Sequence, residues 1–464
     1  MSQTEEYDLI VLGGGPAGYS SAIRASQLQM KVAIVEKDQL GGVCLNVGCI
    51  PSKSLIHNAT LFNSTEELKK LGVGIDFTHF DYKKVQSKSR RAALLLSKGV
   101  QYLIKKNNIT LYPLEGRIKS QHEISLSDGC VIKGKYILIA TGSTSKELPG
   151  FPFDEESVLS STGFLMQEKL PKSIIILGAG AIGIEFAYIL NAFGVNVTLV
   201  EALDNVLPGE DEEIIQVLTA SYKKKGIKIL AKTSAQSMIK SDQGVHVTVE
   251  NREGEQQKLS AEQVIVSVGR SLNTVNIGLE EVNIKTENGF IPVKDYYQTD
   301  IDNIYAVGDI INTPMLAHVA SKEGEIAVEH MAGLNPEPKI NPHEIPFAVY
   351  SEPQIARFGY SEQNANDSGI PYKKSVFPYR GVGKSVAIEK SEGMIKILTD
   401  PDNHEILGAH IVGSEATELI HEVLLAKSMK LSPNQIADMI HAHPTLSEGI
   451  MEVMKSVDGR AIHI

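Results

Sequence analysis

The chain has 464 residues, 42% hydrophobic and 22% charged, with a net charge of −11 and three cysteines. That length makes roughly two to four domains with cores of their own, and the acidic balance argues against nucleic acid or an anionic membrane as the main partner. Three cysteines cannot build a secreted disulfide framework. Residues 1–8 have neither a signal-peptide core nor Arg-rich transit character, and no apolar run reaches the roughly 18 residues of a membrane span, so a soluble, cytoplasmic protein is expected.

Residues 7–12 (YDLIVL) read as a short apolar strand. It runs into Gly13-Gly14-Gly15-Pro16-Ala17-Gly18, a helix pattern follows over 17–29, and a second strand, 31–35, ends in Glu36. This is G-x-G-x-x-G in the context that gives the motif meaning. Glycines let the backbone approach a pyrophosphate, the helix N-terminus meets its charge, and the acid binds a ribose hydroxyl.

Next comes GGVCLNVGCIPSK, residues 41–53, where Cys44 and Cys49 stand five positions apart among small residues. A regular helix rises about 7.5 Å over five residues, and a disulfide wants its Cα atoms within about 7 Å. If the two bond, the segment is a distorted turn near a helix start, where the helix N-terminus favours a thiolate. The alternative is two buried, inert cysteines. No second Cys/His cluster with ligand spacing follows, so no metal site is expected.

Residues 55–71 and 82–106 read as helices, and 110–119 and 131–133 as strands. The strand 135–140 ends in Thr141-Gly142-Ser143. The nucleotide unit then appears again: strand 173–177, Gly178-Ala179-Gly180-Ala181-Ile182-Gly183, helix 181–193, strand 195–200 and Glu201. Glycines and acids are both offset by 165 residues, so two nucleotide-binding domains are expected, one inside the other's chain path. A carboxylate at 201 accepts hydrogen bonds from a ribose diol and repels a 2′-phosphate. No Arg occurs in 202–205 (ALDN), so the second site should prefer NAD to NADP.

Strand 263–268 ends in Gly269-Arg270, and strand 303–307 ends in Gly308-Asp309, a carboxylate at a sheet's C-terminal edge, before a helix near Met315. Residues 335–343 are Pro-rich and read as a linker. Strands at 345–350, 373–378, 393–399 and 405–412, with helices at 416–429 and 432–440, make an α+β third domain. It carries no nucleotide motif, so it should serve assembly or complete the site. In His441-Ala442-His443-Pro444-Thr445-Leu446-Ser447-Glu448, Pro444 suits the first turn of a new helix. His443 then sits just outside with Glu448 nearby, a proton-transfer pair of tunable pKa.

GGGPAG, GGVCLNVGCIPSK, ATGS, GAGAIGIEF, YAVGD and HAHPTLSE occur in this order along essentially the whole chain. Together they resemble the flavin disulfide reductases, most nearly those that oxidise dihydrolipoamide. The resemblance implies an α/β fold of two Rossmann-like domains plus a C-terminal α+β dimerisation domain: 1–146 and 272–342 for FAD, 147–271 for NAD, 343–464 for dimerisation. It implies FAD on Gly13, Gly15, Gly18, Glu36, Gly116, Thr141, Gly142 and Ser143, with Asp309 on the ribityl chain. The helix start at Leu316 and Ala317 would face the flavin N1–O2 edge, and Lys53, paired with Glu185, would lie near flavin N5. NAD would lie on Gly178, Gly180, Gly183 and Glu201, with Gly269 and Arg270 near its other end.

Cys44 would be the interchange thiol, Cys49 would pass electrons to FAD, and His443 would be the base that Glu448 orients. In this family that His–Glu pair serves the cysteines of the other subunit, which implies a homodimer. Further partners would be the lipoyl domains and acyltransferase core of 2-oxoacid dehydrogenase complexes, or the glycine cleavage system. Val43 departs from the family pattern, where a Thr is expected, and Cys130 matches no motif and reads as a lone structural thiol. Glutathione reductases should carry arginines after the second strand, and mercuric reductases should end in a Cys pair; this chain has neither. The alternative of another class is a structural subunit of a multienzyme complex, against which the intact Cys pair, His443 and Glu448 argue.

The charge at Glu201 sets a first prediction: kcat/KM with NAD strongly exceeds that with NADP. Steady-state kinetics giving equal values would overturn it.

Overall fold

A computed structural model describes residues 5–242 and 244–463. The strand Glu6–Leu12 is flanked by parallel strands Val32–Val35 and Val131–Ile139. Leu9, Ile10 and Val11 are fully buried, as parallel strands covered on both faces must be. The sheet continues to Thr110–Tyr112 on one side and to the antiparallel strands Glu123–Leu126 and Gly116–Ser120 on the other. Ile304–Ala306 adds a parallel seventh strand beside Val131–Ile139, so the chain returns to this sheet after leaving it for the second unit.

Two boundaries differ from expectation. The segment 110–119 is broken between Thr110–Tyr112 and Gly116–Ser120, because Pro113 has no N–H to give the ladder. Val131–Ile139 is one strand through Gly134: a Cβ there would lie 3.0 Å from the Ile10 side chain, so the glycine admits close packing.

The second unit repeats the plan. Its parallel sheet runs Lys228–Leu230, Asn196–Val200, Ser173–Leu177, Gln263–Val266, Val158–Leu159. A three-stranded antiparallel meander, Thr233–Ser241, Gly244–Asn251 and Gln256–Ala261, packs against it. A ribbon of Ser143–Ser145 and Arg270–Leu272 spans the passages into and out of the unit.

The third sheet is antiparallel: Phe347–Val349, Gln354–Gly359, Ile406–Gly413, Met394–Thr399, Lys373–Pro378. Gln354–Gly359 escapes the sequence reading because it is short and Gln354, Arg357 and Gly359 interrupt its apolar pattern. Helices Ala416–Ser428 and Glu448–Val457 bury Ile420, Val423, Ile450 and Val453 in the core it shares. The helix expected over 432–440 is short, Pro433–Ala437, closed by a capping box between Ser432 and Gln435. The helix expected to start at Pro444 begins at Glu448, and the His443–Pro444 bond is cis. The Glu448 carboxylate takes the Thr445 N–H at 2.9 Å, which leaves Pro444 in the preceding turn. No helix among the described residues is long and apolar enough to cross a membrane.

Buried charge seals the second unit to the third domain. Lys396 is fully buried, and its ammonium bonds Asp211 at 2.6 Å, Glu213 and Glu362. Beside it, Glu210 meets His410 Nδ1 at 2.7 Å and Arg357 at 3.2 Å. Burial pushes the Asp211 carboxyl up, but the Lys396 contact pulls it below the ordinary range overall. A depressed carboxyl contributes stability that is full above its unfolded pKa, about 4, and is lost as pH falls through the lower folded value. Lys396→Met strands the buried Asp211 charge and should cost about 3 kcal/mol at neutral pH. Denaturant unfolding across pH checks this: the loss should shrink steadily on acidification, as the variant's Asp211, its burial no longer opposed by Lys396, takes up a proton.

Candidate redox and dinucleotide site

The cysteine segment is two helices with a break between them. Gly41 and Gly42 adopt φ of 95° and 57°, and a Cβ on Gly42 would lie 2.8 Å from the Gly15 Cα. This turn seats the short helix Gly42–Val47 against the first glycine loop. Gly48 then leaves helical geometry (φ −148°, ψ −113°), and Cys49 opens the helix Cys49–Lys70. The interruption lets Cys44 and Cys49 meet, as a continuous helix would not.

Both thiols are free, and they are close enough to act on each other's ionisation. Their ionisation is split. The Cys44 hydrogen bond pulls Cys49 down to about 7 against the cost of burial, with help from Lys53. Cys44 goes far up, because it donates to Cys49 and is itself buried. The pair thus gives up its first proton more readily than an isolated thiol would. Cys130 is exposed on a turn, its thiol raised by Asp128.

Lys53 lies one turn beyond Cys49. Its ammonium reaches both oxygens of Glu185 at 2.9 Å, and Glu185 is a buried residue of the second unit's helix Ala181–Ala192. Burial would lower the Lys53 pKa, but the charge and hydrogen bonds of Glu185, with Cys49 and Tyr350, together raise it by more. Tyr350 completes the cluster from the third domain. Its N–H donates to Glu185 Oε1 at 3.1 Å, and Lys53 Nζ stands 4.6 Å from its ring centre. Sequence reasoning missed Tyr350, since no motif contains it.

The two glycine turns are built alike. A Cβ on Gly13 would lie 2.3 Å from the Ala140 carbonyl oxygen, and one on Gly18 1.9 Å from that of Gly13. The matching distances are 2.5 Å from Ser267 for Gly178 and 2.0 Å from Gly178 for Gly183. Gly15 and Gly180 meet nothing within 4 Å. In each unit two glycines close the chain on itself and one faces a hollow. No side chain caps the helices Pro16–Gln27 and Ala181–Ala192 that start there, so their first N–H groups suit an anionic ligand.

Glu36 accepts from the N–H groups of Gly14 at 2.6 Å and Asp38 at 2.8 Å; Glu201 accepts from Ala179 at 2.7 Å and Leu203 at 2.9 Å. Each carboxylate is fixed beside its hollow and keeps lone pairs for a hydroxyl. The donor set therefore fits an adenine dinucleotide in each unit.

Asp309 accepts from the Ser143 hydroxyl, and Arg270 donates to Ser143 Oγ at 2.6 Å and to its carbonyl at 2.7 Å. Arg270 is 3.5 Å from Asp309. The arginine, expected with Gly269 near one end of the second unit's ligand, thus meets residues that border the first unit. The reason is strand pairing: Arg270–Leu272 lies antiparallel to Ser143–Ser145. Thr141 donates to the Asn273 carbonyl at 2.7 Å, beside the positive-φ Gly142. Gly116 packs under Val35 and Leu12, where a Cβ would come within 3.0 Å of both. Leu316 leads into the helix Ala317–Met331 without a side-chain cap. Its buried Glu323 takes the Gly308 N–H at 2.7 Å, and burial raises its pKa.

His443 Nδ1 meets Glu448 Oε1 at 2.9 Å, and the imidazole side chain is 77% exposed. Burial raises the Glu448 carboxyl, while the Thr445 N–H and His443 lower it by more. Among the described residues no hydrogen bond or ion pair joins His443 to the cysteines of the same chain.

Residues 7–324 match the family model for pyridine nucleotide-disulphide oxidoreductases, and 345–454 match that family's dimerisation domain. The chain belongs to this family. Within it, the chain groups with the dihydrolipoyl dehydrogenases. It is 43% identical to the dihydrolipoyl dehydrogenase of Bacillus subtilis, over 99% of both chains. It is 40% identical to that of Corynebacterium glutamicum (99% of this chain, all of the other) and 38% to a mitochondrial one of Arabidopsis thaliana (100% and 92%). Among solved structures, LpdA from Mycobacterium tuberculosis superposes with a TM-score of 0.90 at 25% identity, covering 98% of this chain and 100% of that one. The flavoprotein disulfide reductase RclA from Escherichia coli shares the fold at 0.86 and 24%, covering 97% and 100%.

The open hollow at Gly15 separates folding from binding. Gly15→Ala adds a methyl that touches no protein atom, at φ −69°. The ligand-free variant should melt with the parent, while calorimetry shows dinucleotide binding at the first site weakened tenfold or more. Unchanged binding would remove the hollow from the site.

Proposed function

We propose that the protein oxidises protein-bound dihydrolipoyl groups to the cyclic disulfide and reduces NAD⁺. What carries the reading is the cysteine pair brought together by the helix break beside the Lys53–Glu185 pair, in a chain with full-length similarity to dihydrolipoyl dehydrogenases. In the oxidised enzyme Cys44 and Cys49 form a disulfide. A substrate thiolate attacks Cys44 Sγ and displaces Cys49 as thiolate. The second substrate thiolate attacks the substrate sulfur of the mixed disulfide and releases Cys44. Two substrate thiols become one disulfide, and two electrons pass to the enzyme's sulfurs.

His443 takes the substrate's protons, held in orientation by the Glu448 carboxylate. A second copy of the chain supplies this pair, so the working unit is a homodimer, in keeping with the dimerisation domain and with the 77% exposure of His443 in one copy. Cys49, first in its helix and beside Lys53, is the thiolate from which electrons leave.

FAD fits the first hollow, on Gly13, Gly15, Gly18 and Glu36, with Ser143 and Asp309 further along; when bound it supplies the two-electron relay between dithiol and nicotinamide. NAD⁺ fits the second, on Gly178, Gly180, Gly183 and Glu201. One proton leaves to solvent and the other, with both electrons, leaves as hydride on NADH. The lipoyl domains of 2-oxoacid dehydrogenase complexes are the proposed partners, and the cytoplasm the proposed compartment.

Anaerobic titration of the purified holoprotein with dihydrolipoamide, followed by absorbance before NAD⁺ is added, tests the reading. It predicts a long-wavelength band that is complete at two electrons and absent in Cys49→Ser. A flavoprotein that ignores dihydrolipoamide but reacts with another dithiol would keep the chemistry and remove the substrate.

A further inference from the structure

Tyr350 immediately follows the third-domain strand Phe347–Val349, yet it touches both halves of the Lys53–Glu185 pair. Its N–H fixes Glu185 Oε1 at 3.1 Å, and its ring lies 4.6 Å from the Lys53 ammonium. A cation over an aromatic face is attracted by the ring quadrupole, most strongly where water is scarce. A lysine side chain loses considerable rotamer freedom when held in one place, and the ring and the carboxylate share that task here.

We propose that Tyr350 is a positioning residue for the dithiol chemistry, holding the Lys53 ammonium against Cys49 from the third domain. The proposal rests on the redox role given above to Cys44 and Cys49. Other groups face the same spot: Cys44 from the preceding helix, Tyr19 from Pro16–Gln27, Glu185 from Ala181–Ala192 and Glu418 from Ala416–Ser428. Of the groups acting most strongly on Cys49, Lys53 alone is a cation. A loosened Lys53 is therefore read directly in how readily Cys49 ionises. The backbone N–H contact to Glu185 survives any side chain at 350, so a substitution tests the ring.

The experiment is a pH titration of the long-wavelength absorbance of holoprotein carrying Cys44→Ser, which leaves Cys49 as the lone thiol of the pair. In that background Tyr350→Phe should titrate with its parent. Tyr350→Leu should move the midpoint up by about half a pH unit, roughly threefold in the ionisation constant. Replacing Tyr350 with pentafluorophenylalanine keeps the ring's volume and inverts its quadrupole. It should follow the Leu variant, and it serves if the Leu variant folds poorly. Leu and fluorinated variants that titrate with Phe overturn the role of Tyr350. A parent with no pH-dependent long-wavelength band overturns the dithiol reading beneath it.

Discussion

The Lys53–Glu185 ion pair is the contact on which the three parts of the molecule converge. Lys53 comes from the cysteine helix, Glu185 from the second nucleotide unit, and Tyr350 from the third domain closes over both. A buried pair of this kind is weak evidence for stability, since desolvating two charges costs much of what their attraction returns. Its value here is positional. It fixes a cation one helical turn from a thiol whose ionisation depends on that cation, and it does so only when all three parts are docked. The redox chemistry is thereby made conditional on the assembled fold.

The second constraint is the shared geometry of the two nucleotide units. Both use a glycine carbonyl against a glycine Cα, and both anchor an acid through the N–H group two residues before the helix start. What distinguishes them lies outside that device. The first unit is bordered by the cysteine helix, Ser143, Arg270 and Asp309, and the second by the antiparallel meander and the Lys396 seam. Discrimination between ligands must come from those borders and not from the turns.

The motifs that work through the backbone were legible in the sequence, because glycine at a fixed spacing has few other reasons to occur. The duplicated turns, Glu36 and Glu201, the helix break at the cysteines and the His443–Glu448 contact all follow from local spacing. What was not legible depends on long-range packing. The contacts of Arg270 with Ser143 and Asp309 follow from the pairing of its strand with Ser143–Ser145, which no local pattern encodes. Tyr350 and Lys396 acquire their meaning from residues more than a hundred positions away. Pro444 misled because its preference for a helix start competes with the carboxylate of Glu448, which takes that place instead.

The return of the chain to its first sheet has a consequence for biogenesis. Val131–Ile139 gains its partner Ile304–Ala306 only after the second unit has been traversed, whereas the parallel strands of that unit all lie between Val158–Leu159 and Gln263–Val266. On a ribosome that delivers residues in order, the inserted unit can complete its sheet first, and the N-terminal one stays open at its core until later. The domain whose sequence emerges earliest thus closes only after the unit inserted in it, so its apolar strands stay exposed to chaperones while that unit is being made.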